Sequence, residues 1–99
     1  MATTREEISE WFDEGVRQGA THMVVVCDTF AYEDYPVYVK PTENVYDVYD
    51  KNGGDKGEND NMQRVMEVYD LRADKAEQVN ATRTKNFGTA VRYPDECTG

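Results

Sequence analysis

Residues 21–39 read THMVVVCDTFAYEDYPVYV, and they form the only stretch of the chain that is densely β-branched and aromatic. Such side chains fit the half-buried surface of a sheet. Thr21–Asp28 is predicted as one strand and Val37–Val39 as a second, with Phe30–Tyr35 connecting them. Pro36 starts the second strand in this prediction, because proline lacks the N–H that a central strand needs. The stretch therefore predicts a β-hairpin with an acidic, tyrosine-bearing tip.

Met23 to Cys27 is an unbroken apolar run, which is typical of a strand covered on both faces. The other segments are expected to supply helices for one face of the hairpin. Cover for the second face would then come from another copy of the chain, by pairing of hairpins across a dimer axis. The sequence thus predicts a homodimer or a higher homo-oligomer.

An amphipathic helix is predicted before the hairpin. Thr4 and Glu7 have capping-box spacing, and Thr3 with Glu6 offers the same box one residue earlier. Gly19 is well placed to end the helix in a left-handed conformation. The apolar stripe follows the helical period and consists of Ile8, Trp11, Phe12 and Val16.

Three shorter helices are predicted after the hairpin, over about residues 43–51, 61–70 and 73–84. The helical spacing is clearest in the second of them, at Met62, Val65, Met66 and Tyr69. The overall prediction is a single α+β domain over residues 1–84, in which the hairpin packs against three to four helices. Residues 85–99 hold too little apolar surface to specify structure and are predicted as a tail or arm.

The charge of the chain is strongly negative and unevenly spread. Residues 1–60 hold 14 acidic and 5 basic side chains, while residues 61–99 hold 6 of each, so the first part carries the whole net charge of −9. Such a field repels nucleic-acid phosphates and membrane surfaces, and it favours basic protein partners, cations, or solubility alone. No apolar run approaches the roughly 20 residues of a membrane span. We therefore expect a cytoplasmic protein with neither a nucleic acid nor a membrane as partner.

Residues 50–61 form a polar, glycine-rich loop that invites comparison with a helix-flanked calcium loop. Counted from Asp50, Asn52 fits the third ligand position of such a loop. The residues at the fifth, sixth and twelfth positions do not match the pattern. A solvated linker is the better interpretation of this loop, and no metal is predicted here.

Catalytic residue types are scarce. The single histidine, His22, and Cys27 stand five residues apart on one predicted strand, so they point to opposite faces. That geometry suits neither a shared zinc ion nor a nucleophile and its base. Cys27 and Cys97 are expected to be reduced. The prediction is a protein that is not an enzyme and holds no cofactor, with a small hydrolase around Cys27 or Asp28 as a third possibility.

The hairpin tip is the predicted binding surface, because acidic groups beside tyrosines combine an aromatic body with a hydrogen-bonding rim. The predicted binding residues are Asp28, Thr29, Tyr32, Glu33, Asp34, Tyr35 and Tyr38. The alternative is a solvated turn in which Asp28 and Thr29 only cap backbone groups.

Four stretches together resemble a known family. They are ISEWFDEGV at residues 8–16, GATHMVVVCDTF at 19–30, EDYPVYV at 33–39 and MQRVMEVYDL at 62–71. The chain resembles a family of small uncharacterised proteins in the genomes of tailed phages, actinobacteriophages among them, and of some bacteria. The family would have an acidic residue where Ala31 stands, and a shorter linker before the last stretch. The resemblance implies a phage or prophage origin, hence the host cytoplasm, and it implies no activity.

These observations lead to two function hypotheses. The first is a non-enzymatic acidic phage accessory protein that binds or inhibits a basic host protein. The alternative is an oligomeric sponge that holds a small ligand, such as a nucleotide signal, between subunits. A phosphate ligand requires basic residues, and the cluster available in the neutral part of the chain consists of Arg64, Arg72, Lys75, Arg83 and Lys85.

Overall fold

The computed structural model of the chain describes residues 4–81, 84–88 and 90. In chain order, the elements are α1 (Arg5–Gln18), β1 (His22–Asp28), β2 (Glu33–Val39), α2 (Val45–Lys51), a single 3-10 turn (Gly54–Lys56), β3 (Gln63–Asp70) and α3 (Lys75–Asn80). The predicted α+β class is confirmed, and so is the β-hairpin, which β1 and β2 form.

The three strands make one antiparallel sheet in the order β2-β1-β3. β2 begins at Glu33 and not, as predicted, at Pro36, which pairs with Val25 inside the strand. Because β2 is an edge strand, a residue without an N–H is tolerated there. β1 lies in the centre of the sheet, as its continuous apolar run predicts.

The helix predicted over residues 61–70 is wrong, because this segment is the strand β3. The register of β3 against β1 shifts between Val25 and Val26, which leaves Met66 as the extra residue of a β-bulge. Beyond a bulge the alternation of faces is displaced by one residue. Val65 and Val68 therefore face the same core although they are three residues apart. This spacing imitates the i, i+3 spacing of a helix.

Helices cover both faces of the sheet. The α2-side core joins β-strand residues to α2 and consists of Val24, Val26, Val39, Val45, Val48, Tyr49, Val65 and Val68. The α1-side core joins the opposite face to α1 and α3 and consists of Ile8, Phe12, Met23, Val25, Tyr69, Leu71 and Val79. The expectation of helices on one face is thus wrong. β1 is buried on both faces by its own chain, so its burial is no longer a reason to require a second copy.

α1 begins and ends as predicted. Thr4 and Glu7 form a complete capping box, and Gly19 ends the helix in the left-handed region at φ 77°. Val16, predicted in the apolar stripe, is instead 51% exposed. A Cβ atom on Gly15 would lie 2.5 Å from Leu71 Cδ1, so the absence of a side chain at this position lets the helix approach the sheet.

The two short helices differ in how well they match the prediction. α2 lies inside the predicted range of 43–51 and is capped by Asn44, whose side chain accepts from the N–H of Tyr46. α3 is shorter than the predicted helix over 73–84. It is capped by Asp74 and ends at Asn80.

The chain after α3 returns to the outer edge of β3. Val68 donates its N–H to Thr84 O at 2.8 Å and accepts from the N–H of Asn86 at 2.9 Å. Phe87 then packs against the α2-side core. These residues, 84–88, form a closing segment that lies along β3, and part of the predicted tail or arm is therefore packed on the domain. Ala90 also packs against this core, and the other residues of the predicted tail, 89 and 91–99, lie outside the described residues.

Candidate functional site

Asp28 shapes the hairpin tip by accepting hydrogen bonds from the backbone. Its Oδ1 accepts from the N–H of Phe30 at 2.9 Å and from that of Ala31 at 3.3 Å. Its carbonyl oxygen accepts from the N–H of Tyr32 at 2.6 Å. The carboxylate thus has the capping role that the alternative interpretation assigned to it. These bonds restrict the backbone of the tip.

Thr29 fastens the tip to the turn that precedes β3. Its N–H and its Oγ1 both donate to the carbonyl oxygen of Met62, at 2.8 and 3.1 Å. Met62 in turn donates its N–H to Asn59 O at 3.1 Å. The turn over residues 59–62 therefore belongs to the same end of the sheet as the hairpin tip.

Two residues at this end of the sheet have an unfavourable backbone conformation. Tyr32 and Met62 have φ of 56° and 60°, and within residues 4–81, 84–88 and 90 they are the only non-glycine residues with positive φ. The left-handed region costs an L-residue about 1–2 kcal/mol. Such strain persists where the surrounding structure imposes it, and it concentrates at functional sites.

Large apolar side chains are exposed at the same end. Phe30 is 79% exposed, Tyr32 70% and Met62 46%. We call these three residues the tip surface. Phe30 and Met62 were missed by the sequence analysis. Phe30 could have been found from the sequence, because an aromatic residue in a predicted turn belongs to no strand or helix pattern that would bury it. Met62 was instead assigned to the apolar stripe of the predicted helix over residues 61–70, which does not form.

The predicted binding tyrosines do not all lie together. The hydroxyl of Tyr35 accepts from Gln63 Nε2 at 2.8 Å, and its ring packs against the α2-side core. Tyr38 packs against the α1-side core and donates its hydroxyl to Trp11 O at 2.8 Å. Burial raises the pKa of the Tyr38 hydroxyl. Both tyrosines stabilise the fold from opposite faces of β2, whereas Tyr32 remains at the tip.

The acidic residues of the predicted site also divide. Glu33 is exposed at the start of β2. Asp34 is half-buried and stands opposite Cys27 in the register of the two strands. Burial, and then a hydrogen bond to Asp34, raise the pKa of the Cys27 thiol. A thiol in this state is a poor nucleophile, because the thiolate is the reactive form.

His22 lies on the opposite face of β1 from Cys27 and is not placed to act as its base. The imidazole is buried on the α2 side of the sheet, where Nε2 donates to Phe87 O at 2.8 Å. Cys27 has the same parity along β1 as Met23 and Val25, which face the α1-side core. The predicted placement on opposite faces is therefore confirmed. Cys27 is a free cysteine, and Cys97 lies outside the described residues.

The five basic residues considered for a phosphate ligand have different surroundings. Arg72 pairs with Asp70 at 3.5 Å, and Lys75 Nζ donates to Asp13 at 2.8 Å. Arg83 lies outside the described residues. The remaining two, Arg64 and Lys85, line one cleft beside β3.

The loop over residues 50–61 is held by its own side chains, and the linker interpretation is wrong. Asn52 is buried and donates to Val48 O at 2.8 Å. Tyr49 donates its hydroxyl to Asp55 Oδ1 at 2.9 Å, and Asn59 Oδ1 accepts from two backbone N–H groups.

In the described ranges no three His, Cys, Asp or Glu side chains are grouped so as to hold a metal ion. Nor does any described helix have the length and apolarity required to cross a bilayer.

Comparison with known proteins adds no relative from which a role could be transferred, since no family model, curated protein or solved structure matches the chain.

Proposed function

We propose that this is a non-enzymatic binding protein whose tip surface docks on a basic protein partner. The observation that carries the proposal is that two strained residues, Tyr32 and Met62, hold large apolar side chains in water. The left-handed backbone costs the fold free energy, and an exposed aromatic or apolar side chain gains little of the stabilisation that burial gives. Both have a function if a partner covers these side chains, because buried aromatic anchors supply most of the energy of an interface.

The hydrogen bonds at the tip support the same proposal. Asp28 and Thr29 fix the backbone on either side of Phe30 before any partner arrives. A rigid anchor loses less conformational entropy on binding than a flexible one. The role of Asp28 and Thr29 is then to position the tip surface.

The charge around the tip surface favours a basic partner. Glu33 is exposed beside it, and Asp60 is exposed in the turn that Thr29 fastens to the tip. The whole chain carries a net charge of −9, which accelerates encounter with a cationic protein. The resemblance to phage proteins gives a setting for this chemistry. In that setting the protein is an accessory protein that binds, and thereby blocks, a basic protein of the host.

The proposal is tested by affinity capture with matched variants. Wild-type protein, the double variant Phe30→Ala/Tyr32→Ala and the control Val16→Ala are each immobilised and exposed to the same bacterial lysate. Val16 is also apolar and about half exposed, but it lies on α1. We expect wild type and control to retain the same basic protein and the double variant to lose it. With that protein purified, the double variant should bind about 30-fold more weakly, as expected for loss of an aromatic hot spot.

Salt dependence provides a second measurement on the purified pair. Because the residues beside the tip surface, Glu33 and Asp60, are acidic, raising the salt from about 0.05 to 0.5 M should slow association more than it accelerates dissociation. Equal retention of the partner by wild type and the double variant, with unchanged thermal unfolding, would contradict the role of the tip surface. A captured partner with an acidic surface would contradict the charge argument.

A further inference from the structure

A cleft of about 310 Å³ lies beside β3, lined by Arg64, Val65, Met66 and Lys85. Its position follows from the topology. The outer edge of β3 is bridged at Arg64 by the preceding loop, through Glu58, and at Val68 by the closing segment, through Lys85. The stretch between the two bridges stays open and contains the bulged residue Met66. The volume is at the lower end of about 300–1,000 Å³, the usual range for small-molecule sites.

The positive charges of the cleft, on Arg64 and Lys85, are not neutralised by ion pairs with the described residues. Arg5, Arg17, Arg72 and Lys75 all form ion pairs. Among the described residues, Arg64 and Lys85 take part in none. The Nζ atom of Lys85 instead stands 5.8 Å from the centroid of the Tyr49 ring. In a chain of net charge −9, a cleft that brings together two cations without ion pairs attracts an anion more than the acidic surface around it does.

The chemistry of the lining restricts the ligand. A guanidinium group binds phosphate oxygens through two parallel hydrogen bonds, and an ammonium group adds a point charge. Val65 and Met66 offer apolar surface next to these groups. An extended peptide is a poor occupant, because the open edge spans only residues 65–67 between the two bridges. We propose that the cleft binds a small phosphate monoester that carries a flat or apolar body, of about the size of a mononucleotide.

This site is independent of the tip surface and of the function proposed for it. It also differs from a sponge that encloses its ligand between subunits, since all four lining residues belong to one chain. Two solvated surface cations that bind nothing are the alternative, and the experiment is designed to separate the two.

The probes are adenosine monophosphate, adenosine and inorganic phosphate, titrated separately into the whole protein at low salt. We expect the monophosphate to bind with a submillimolar Kd and to shift the amide resonances of Val65 and Met66. Adenosine and inorganic phosphate should each bind at least about tenfold more weakly, because each lacks one half of the recognised group.

Variants locate the binding. Arg64→Gln with Lys85→Gln should weaken monophosphate binding at least about tenfold, since charge-assisted hydrogen bonds are lost. Lys40→Gln with Lys51→Gln removes the same charge from exposed positions elsewhere and should change the Kd less than about twofold. Three outcomes would overturn the proposal: no binding of the monophosphate at about 5 mM, adenosine or phosphate binding as tightly as the monophosphate, or equal loss in both double variants.

Discussion

The hydroxyl of Tyr69 donates a 2.5 Å hydrogen bond to Oε1 of Glu67, two residues earlier on β3. Both side chains are buried at the α1-side core. Arg5 completes the group, with Nη2 at 3.5 Å from the other oxygen of Glu67 and Nη1 donating to Val79 O at 2.8 Å. Burial raises the pKa of the Tyr69 hydroxyl, so it remains a donor at all physiological pH. The group ties the first turn of α1 to β3 and to the end of α3.

Tyr69→Phe is therefore expected to destabilise the fold by about 1–3 kcal/mol, because a buried carboxylate loses its shortest hydrogen bond. Tyr35→Phe is the matched control. Its hydroxyl binds the neutral side chain of Gln63 at a half-buried position, where water can replace it, so the loss should be about 0.5–1 kcal/mol. Urea unfolding with equal slopes for all three proteins measures both values. A smaller loss at Tyr69 than at Tyr35 would contradict the role given to Glu67.

Glu67 also shows where sequence reasoning stops. The strand β1, the hairpin and the caps of α1 follow from local patterns, and these were predicted. β3 could not be recognised locally, because the bulge at Met66 gives its apolar residues a helical spacing. On a helix with that spacing Glu67 would lie on the solvated face, whereas on β3 it is buried. A hairpin alone would leave one edge of the buried strand β1 without hydrogen-bond partners. The need for a third strand therefore becomes evident only when the whole sheet is considered.

The binding surface was predicted in part, for a related reason. The tip was chosen from its acidic and tyrosine content, and Tyr32 does lie there. Tyr35 and Tyr38 are also tyrosines of this stretch, but the alternation of side chains along β2 packs one against each core. Met62 joins the tip through the hydrogen bonds from Thr29, which connect residues 33 positions apart. Contacts of that separation leave no local signal.

Phe87→Ala tests whether the closing segment is part of the domain. The ring of Phe87 stacks on Tyr46 with centroids 4.4 Å apart and meets Tyr49 edge-on at 5.2 Å. Full burial would make such a truncation cost about 3–5 kcal/mol, and for this half-buried ring we expect about 1.5–3 kcal/mol. Hydrogen exchange should accelerate at the amides of Val68 and Asn86, which the closing segment protects.

Phe30→Ala is the control for that variant, because Phe30 is the same residue type at an exposed position. It should leave both amides and the thermal unfolding unchanged. If Phe87→Ala is equally silent, residues 84–88 contribute nothing to stability and the domain ends at α3.

Cys27 should react slowly with thiol reagents. Burial first, and the bond to Asp34 second, raise the pKa of its thiol, so the reactive thiolate is scarce at neutral pH. In a Cys97→Ser background, the rate of alkylation should keep rising with pH beyond about 8.5, the ordinary cysteine value. Asp34→Asn removes a negative charge that disfavours the thiolate, which should move the profile to lower pH. A plateau already below about pH 8.5 in the unchanged Asp34 protein would contradict this account and would revive a nucleophilic role for Cys27.

Tyr32→Gly separates the stability of the fold from the function of the tip. Glycine adopts φ of 56° without the cost that a side chain imposes, so the substitution should stabilise the protein by about 0.5–1 kcal/mol. Ala31→Gly introduces the same residue one position earlier, where φ is not positive, and should destabilise by about 0.5–1 kcal/mol through added backbone entropy. Thermal and urea unfolding measure whether each substitution raises or lowers the free energy of unfolding.

If the strain at Tyr32 is maintained for binding, the stabilised Tyr32→Gly protein will also bind the captured partner more weakly, whereas Ala31→Gly will retain most of its affinity. A Tyr32→Gly protein that is less stable than wild type would show that the tyrosine is kept for the fold, and the argument from strain to binding would then fail.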